Sequence, residues 1–412
     1  MSTRPELVAP AGSPEKLRVA LHFGADAVYL GLKRFSLRTT AENFDWDELE
    51  WALAYARERG RRVYVAVNVQ PFDPELSEIE PFLCRLAGFA PDGVVVADPG
   101  VLRMARRVAP GLGLHLSTQA SVTNAEAARF WFDQGIRRIV LARELSLEQL
   151  LALGRSDLGG ELETFVHGAV CVGWSGRCFL SLYWAHRDPR HGHCAQACRW
   201  PYVDLAEARF PERVHRLEED ERGTYFFDAR DLCALPVLDR LLATGVAALK
   251  IEGRTRGAAY LGVTVDVYRQ AVDLLTAGDL AGFYAALPRL QAELGSVAKR
   301  GFSTHFLTGE QNDPATYLPG GSPTGESRGL GAVIAAGEGY LDLRLTNPLA
   351  PGEALELLDR GLRRELHTPE RLVTPDGTVL ARGRAGDVLR LQGRFVAGVG
   401  ALARRPAEGQ PG

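Results

Sequence analysis

Leu7-Val-Ala-Pro-Ala-Gly-Ser-Pro-Glu-Lys-Leu-Arg-Val-Ala-Leu21, followed closely by Gly24-Ala-Asp-Ala-Val-Tyr-Leu-Gly31, contains a strand, a helix and a second strand in one short stretch. A brief apolar run ends in a glycine. Ser13 then stands as a helix cap before an amphipathic pattern, and a β-branched and aromatic run begins at Ala27. The alternation recurs. Further strand-like runs are Val63-Tyr-Val-Ala-Val, Gly93-Val-Val-Val-Ala, Leu114-His-Leu, Ile139-Val-Leu, Thr164-Phe-Val and Ala248-Leu-Lys-Ile. Helical patterns such as Asp47-Glu-Leu-Glu-Trp-Ala-Leu lie between the first seven. Eight such units imply a parallel barrel or a doubly wound sheet. No Gly-x-Gly-x-x-Gly follows the first strand, and polar residues close nearly every run. The expected class is therefore α/β, an eightfold β/α (TIM-like) barrel.

One connection breaks the rhythm. About eighty residues separate the seventh and eighth runs, and loops of that length are usually functional. The expected organisation is a β/α barrel domain over 1–310 with a cysteine-rich insertion at about 169–246. A Pro- and Gly-rich linker over 311–329 follows. The short alternating strands of 330–403 predict a small β-barrel domain, and 404–412 reads as a disordered tail.

The composition is that of a globular protein, 46% hydrophobic and 24% charged with net charge −3. No global basic field advertises nucleic acid, so any RNA contact needs a local patch. No apolar run reaches ~18 residues, which predicts no membrane span. The first residues hold no apolar signal region, so the expected localisation is cytoplasmic, where disulfides rarely persist. Five of the six cysteines, Cys171, Cys178, Cys194, Cys198 and Cys233, nevertheless fall in the insertion; Cys84 stands apart. Such crowding points to a metal, a redox pair or a nucleophile. Thiolates at Cys171, Cys178 and Cys194 with either Cys198 or Cys233 suit zinc or an iron–sulfur cluster. No Cys-x-x-x-Cys-x-x-Cys is present, which argues against radical adenosylmethionine chemistry. A cysteine peptidase needs a base beside its thiolate. His167, His191 and His193 are candidates, but no local protease signature surrounds them.

Several blocks together resemble the collagenase-like peptidase family, peptidase family U32. They are Glu163 to Ser181, the two opening stretches, Cys194-Ala-Gln-Ala-Cys-Arg-Trp200 and Leu249-Lys-Ile-Glu-Gly-Arg-Thr255. The resemblance implies oxygen-independent hydroxylation of RNA or of ubiquinone precursors, with an iron–sulfur cluster (4Fe–4S) on a barrel scaffold. Peptidase activity is the alternative that the family label carries. His186-Arg-Asp-Pro189, Glu219-Asp-Glu-x-Gly-Thr-Tyr225 and Asp231-Leu-Cys233 resemble the branch that hydroxylates the tRNA wobble uridine to 5-hydroxyuridine. That branch implies tRNA as partner and prephenate as co-substrate and hydroxyl source. It carries the cluster and metal ligands over to Cys171, Cys178, Cys194 and Cys233, while relatives vary at the positions of Cys198 and Cys233.

On a barrel, residues at strand ends converge over the C-terminal face. Arg143, Lys250 and Arg254 are expected to bind a dicarboxylate such as prephenate. Glu252 is expected to orient those cations or serve as general base, against the plainer reading that it pairs with Lys250 or Arg254. The expected catalytic set is Glu252, Arg143, Lys250 and His167, with Arg38, Asn68 and Arg254 binding substrate. Arg103, Arg106 and Arg107, then Arg360, Arg363 and Arg364, and Arg382 with Arg384, are the candidate RNA patches, against the plainer reading of each as a solvated face.

Overall fold

The computed structural model describes residues 4–38, 41–171, 173–174, 178–189, 193–199, 218–220, 223–225, 230–298, 301–309, 317–318 and 329–406. Most of the expected linker, the last residues of the expected tail and His191 lie outside the described residues. The chain opens with strands and helices in strict alternation: β1 (Glu6–Pro10), α1 (Pro14–His22), β2 (Ala27–Gly31), α2 (Trp46–Arg57), β3 (Arg62–Val67), α3 (Asp73–Phe89) and β4 (Gly93–Val96). It continues with α4 (Pro99–Val108), β5 (Leu114–Leu116), α5 (Ala125–Asp133), β6 (Ile136–Val140), α6 (Leu147–Gly154) and β7 (Glu161–Ala169). Within the insertion come α7 (Leu180–Ala185), the hairpin strands β8 (Glu218–Asp220) and β9 (Gly223–Tyr225), then β10 (Asp231–Cys233) and α8 (Leu238–Leu242). Strand β11 (Ala248–Ile251) closes the barrel: it runs parallel to β1, with Leu7 opposite Leu249, and parallel to β7, with Thr164 opposite Leu249.

Local chemistry sets these boundaries. The Ser13 hydroxyl accepts from the Lys16 N–H, and the Asp98 carboxylate accepts from the Val101 N–H at 3.0 Å. Asp45 and Glu48 cap α2 reciprocally. Ser13 and Asp98 follow their strands within three residues, so those helices turn back at once along the outside of the sheet, whereas Asp45 caps α2 only after the long loop that follows β2. Strands β1 and β4 are buried along their whole length, as parallel strands covered on both faces must be.

The lumen departs from the usual aliphatic filling. Val8, Ala27, Tyr64, Val95 and Ala248 form a small apolar cluster there. Beside it runs a chain of buried ions. Arg138 of β6 bonds Glu6 of β1 and lies 3.3 Å from Glu163 of β7, and Glu163 accepts from the Lys250 ammonium at 2.6 Å. The Tyr64 hydroxyl donates to Glu6 at 2.8 Å. Burial works to raise the Glu163 carboxyl, but Lys250 and Arg138 hold it below its ordinary value.

Helices α9 (Ala258–Thr276) and α10 (Leu280–Val297) follow the barrel. Strands β12 (Phe302–Ser303) and β13 (Tyr317–Leu318) extend the β10 edge, where β10 lies antiparallel to the end of β7. The C-terminal module comprises β14 (Gly329–Gly337), β15 (Tyr340–Leu345), β16 (Leu355–Asp359), β17 (Arg363–His367), β18 (Leu372–Val373), β19 (Val379–Leu380), β20 (Val388–Gln392) and β21 (Leu402–Arg404). Six of these strands form an antiparallel half-barrel in the order β17-β16-β21-β14-β15-β20, with its own leucine-rich core. It docks on the outer wall of the β/α barrel. Asp266 of α9 accepts the N–H groups of Gly361 and Leu362, and His22 of α1 bonds Asp359.

Replacing Glu163 with alanine strands Arg138 and Lys250 inside the lumen without their shared counter-charge. The variant should be less stable by about 3–5 kcal/mol, read from urea unfolding, with Glu163→Gln intermediate. A midpoint within error of wild type would show that the ion chain does not hold the barrel.

Candidate active site at the barrel mouth

The C-terminal ends of the strands surround a cavity of about 140 Å³. Its lining includes Arg38, Asn68, Arg143, Lys250, Glu252 and Arg254 together with Cys171, Cys178 and Cys194. A neighbouring recess shares Arg38, Cys171, Cys194 and Glu252 with it and adds Arg187 and Cys198. The insertion thus brings thiols over the same opening where the strands deliver cations.

Each cation is held differently. Lys250 keeps its ion pair with Glu163 and stands 4.3 Å from the Tyr29 ring. Arg143 donates to the Ala169 carbonyl at 2.5 Å and to Cys171 Sγ at 3.5 Å, and its guanidinium lies 4.9 Å from the Phe165 ring. Arg254, 3% exposed, donates to the Ser36 hydroxyl at 2.8 Å. Burial pushes its guanidinium down to about 10, although Tyr29 and Glu252 work against the shift. Glu252 pairs with Arg38, Oε1 to Nε 3.7 Å, and not with either cation that the sequence offered as its partner. Burial works to lower the Arg38 guanidinium, but Glu252, Cys171 and Cys194 hold it above its ordinary value.

The loop after β2 delivers Arg38 under strain. Phe35, Arg38 and Asn43 all have left-handed backbones, at φ 58°, 80° and 55°. Asn43 holds this shape by donating its amide to the carbonyls of Arg38 and Ala41, both at 3.2 Å. Asn68 accepts from the Leu37 N–H at 3.1 Å and donates to Gln119 at 2.9 Å, so much of its bonding ties the loop to β3 and β5. A side chain at Gly31 would collide with the Arg254 guanidinium and the Ser36 hydroxyl, so glycine is required there.

The thiols sit among donors. Cys194 Sγ accepts from the Ser181 hydroxyl at 3.5 Å and from the Gln196 N–H at 3.4 Å. Burial raises the Cys178 thiol, and Cys171 and Cys194 add to the rise. Among the described residues no three His, Cys, Asp or Glu side chains converge on a single ion position, so the thiols border a shared space.

Two expected site residues stand elsewhere. His167 and Cys233 face each other across the β7–β10 pairing, buried between the strand and α9, and neither lines the cavity. Simple alternation from Glu163 and Phe165 would turn His167 into the lumen. The β7–β11 register instead shifts between Lys250 and Ile251, which face Phe165 and His167, and this bulge turns the histidine outward. The Tyr268 hydroxyl lies 3.4 Å from His167 Nδ1 and 3.9 Å from Cys233 Sγ. Burial lowers the His167 imidazole to about 4 and raises the Cys233 thiol to about 11. Sequence reasoning missed Tyr29, Ser36 and Ser181. Tyr29 had a signal, since it alternates with Ala27 and Gly31 along β2; Ser36 and Ser181 lie in a strained loop and an insertion, where no periodicity announces direction.

A closed β/α barrel with thiols, cations and one carboxylate gathered at its C-terminal mouth is the architecture of a barrel enzyme. The chain belongs to peptidase family U32, whose model matches residues 12–316. It is 33% identical over 386 residues to a tRNA hydroxylation protein P1 of Bacillus subtilis, covering 93% of this chain and 90% of that protein. It is 39% identical over 306 residues to a tRNA hydroxylation protein P of Helicobacter pylori, covering 73% of this chain and 71% of that protein. A 23S rRNA 5-hydroxycytidine synthase of Escherichia coli is 32% identical over 363 residues, 87% of this chain and 53% of that protein. No helix among the described residues is long and apolar enough to cross a membrane.

The buried imidazole makes stability pH-dependent. Between the ordinary histidine value of 6.5 and about 4, the unfolded chain binds a proton at residue 167 that the folded chain refuses. Unfolding free energy should therefore fall as pH drops through that window. His167→Gln should reduce the slope in urea titrations, leaving the part due to His115, which burial lowers to about 3; an unchanged slope would contradict the assignment.

Proposed function

We propose that the chain is an oxygen-independent RNA hydroxylase that converts the wobble uridine of tRNA to 5-hydroxyuridine. It would use an iron–sulfur cluster of the 4Fe–4S kind and prephenate as hydroxyl source. The observation that carries this reading is the single cavity bordered by Cys171, Cys178, Cys194, Arg38, Arg143, Lys250 and Arg254. The relatives named for tRNA and rRNA hydroxylation support an RNA substrate.

The thiols fit such a group by their surroundings. Hydrogen bonds from Arg143, Ser181 and the Gln196 N–H to sulfur are what thiolate ligands receive. Thiolates also ligate zinc, so the metal content of the purified protein separates the two. When bound, the cluster supplies electron-transfer chemistry that needs no dioxygen. Cys171, Cys178 and Cys194 would hold it, with Cys233 fourth on the family resemblance and Cys198, in the adjoining recess, as its geometric rival.

The remaining residues have distinct work. Arg254 and Lys250, fixed by Ser36 and Glu163, present positive charge for the two carboxylates of prephenate. Glu252, beside Arg38, is placed to accept a proton at the mouth. Phe165 and the neighbouring apolar lining exclude water around these charges. A peptidase would need a thiol whose acidity is enhanced, and burial shifts two of the five clustered thiols, Cys178 and Cys233, the other way.

Anaerobically purified protein should carry iron and absorb near 400 nm, as iron–sulfur centres do. Alanine at Cys171, Cys178 or Cys194 should abolish both. Iron content of Cys198→Ala and Cys233→Ala decides the fourth ligand: loss in Cys233→Ala alone supports the ligand of the family resemblance, and loss in Cys198→Ala alone supports the thiol that borders the adjoining recess. Nucleoside analysis of tRNA from a deletion strain should lack 5-hydroxyuridine and its derivatives. Unaltered tRNA, restored by no other gene, would reject the substrate.

A further inference from the structure

Helix α7 has two unlike faces at the rim of the cavity. Ser181 turns inward: it is 3% exposed, donates to Cys194 and accepts the Ala195 N–H at 2.9 Å. The residues around it turn out. Phe179 and Tyr183, one helical turn apart, are 63% and 75% exposed. Trp184 is 49% exposed, and Trp174, just ahead of the helix, 56%. Four of the seven exposed aromatic side chains among the described residues therefore fall between residues 174 and 184. A soluble surface rarely concentrates apolar area in this way unless something binds there.

Charge and geometry specify the occupant. Helix α7 and the residues just after it carry His186 and Arg187, with Asp188 the first acidic residue beyond them. Arg187 borders the recess that opens onto Cys171 and Cys194. The Tyr183 and Trp184 rings lie 5.2 Å apart at 90°, so they do not stack on each other. Aromatic faces on a helix that itself carries no acidic residue, with Arg187 beside it, suit a π-bearing polyanion.

We infer that the outward face of α7, with Phe179, Tyr183, Trp184 and the preceding Trp174, is a stacking platform for unpaired RNA bases next to the nucleotide that enters the cavity. This rests on the RNA reading above. A base that must reach a recessed site leaves its stack, and its neighbours lose a partner. Aromatic side chains at the rim replace that partner without demanding a particular base, as proteins that recognise single-stranded RNA do.

The test is fluorescence anisotropy with two labelled RNAs, an unmodified anticodon stem–loop and a fully paired hairpin of equal length. Phe179→Ala and Tyr183→Ala should each weaken stem–loop binding by about tenfold. Tyr183→Phe should bind as wild type does, and hairpin affinity and the salt dependence of binding should stay unchanged, because no phosphate contact is lost. Circular dichroism and iron content should match wild type in every variant. Alanine variants that bind the stem–loop like wild type overturn the platform alone. Wild-type protein that binds neither RNA overturns the RNA reading and the platform with it. A change in oligomeric state on alanine substitution, with stem–loop affinity intact, makes α7 a self-contact and also overturns the platform.

Discussion

The carboxylate of Glu163 joins the closure of the barrel to the charge at its mouth. It sits on β7 with Arg138 of β6 on one side and Lys250 of β11 on the other, so three strands meet through one buried anion. Such a network is costly to leave half satisfied. Its shape follows from that constraint: Arg138 is anchored from below by Glu6, and Lys250 is drawn down onto Glu163 with its ammonium over the Tyr29 ring. The ammonium that lines the cavity therefore stands in a fixed place. A lumen filled only with aliphatic layers would close the barrel equally well but would leave no rigid cation under the mouth.

Above that floor, rigidity comes from backbone strain and tight glycines. Three left-handed non-glycine residues within nine positions carry Arg38 over the cavity, and Asn43 and Asn68 hold them there. Gly31 leaves room for the Arg254 guanidinium, and Gly12 leaves room for the Arg254 carbonyl. Strain of this kind persists where the surroundings over-determine it, and it is commonest at functional sites. The thiols arrive by another route, on an insertion that returns as β10 along the end of β7.

Much of this was legible in the chain. Repeated apolar runs with Ser and Asp caps specify the barrel because each cap forces the chain back over the sheet, and strand ends specify the mouth because all eight strands are parallel. Arg143, Lys250, Glu252 and Arg254 reach the cavity for that reason. Legibility fails where period-two alternation fails. The bulge opposite Lys250 and Ile251 sends His167 outward, an inversion that a one-residue register shift makes inevitable and that composition does not reveal. Cys233 follows it, since its strand is paired to His167. Glu252 was legible as a mouth residue but not its partner: Lys250 was already taken by Glu163, a residue whose direction depends on the lumen and not on its neighbours in sequence.

The charge balance at the mouth favours an anionic occupant. Lys250 is compensated by Glu163, and Arg38 by Glu252. Arg254 is buried, with a hydroxyl as its hydrogen-bonded acceptor, and burial pushes the pKa of its guanidinium down to about 10. A buried guanidinium is expensive unless it is paired and fully hydrogen-bonded. A carboxylate placed against Arg254 would relieve that cost without moving the strained loop that holds Ser36. The thiols answer to the same field. Burial and the neighbouring thiols disfavour ionisation of Cys178 as a free group, whereas bound iron would stabilise thiolates here and the surrounding guanidinium groups would offset the negative charge that results. Arg254 and Cys178 are thus each poorly accommodated as charges on their own, and an anion at the first and bound iron at the second would relieve that cost.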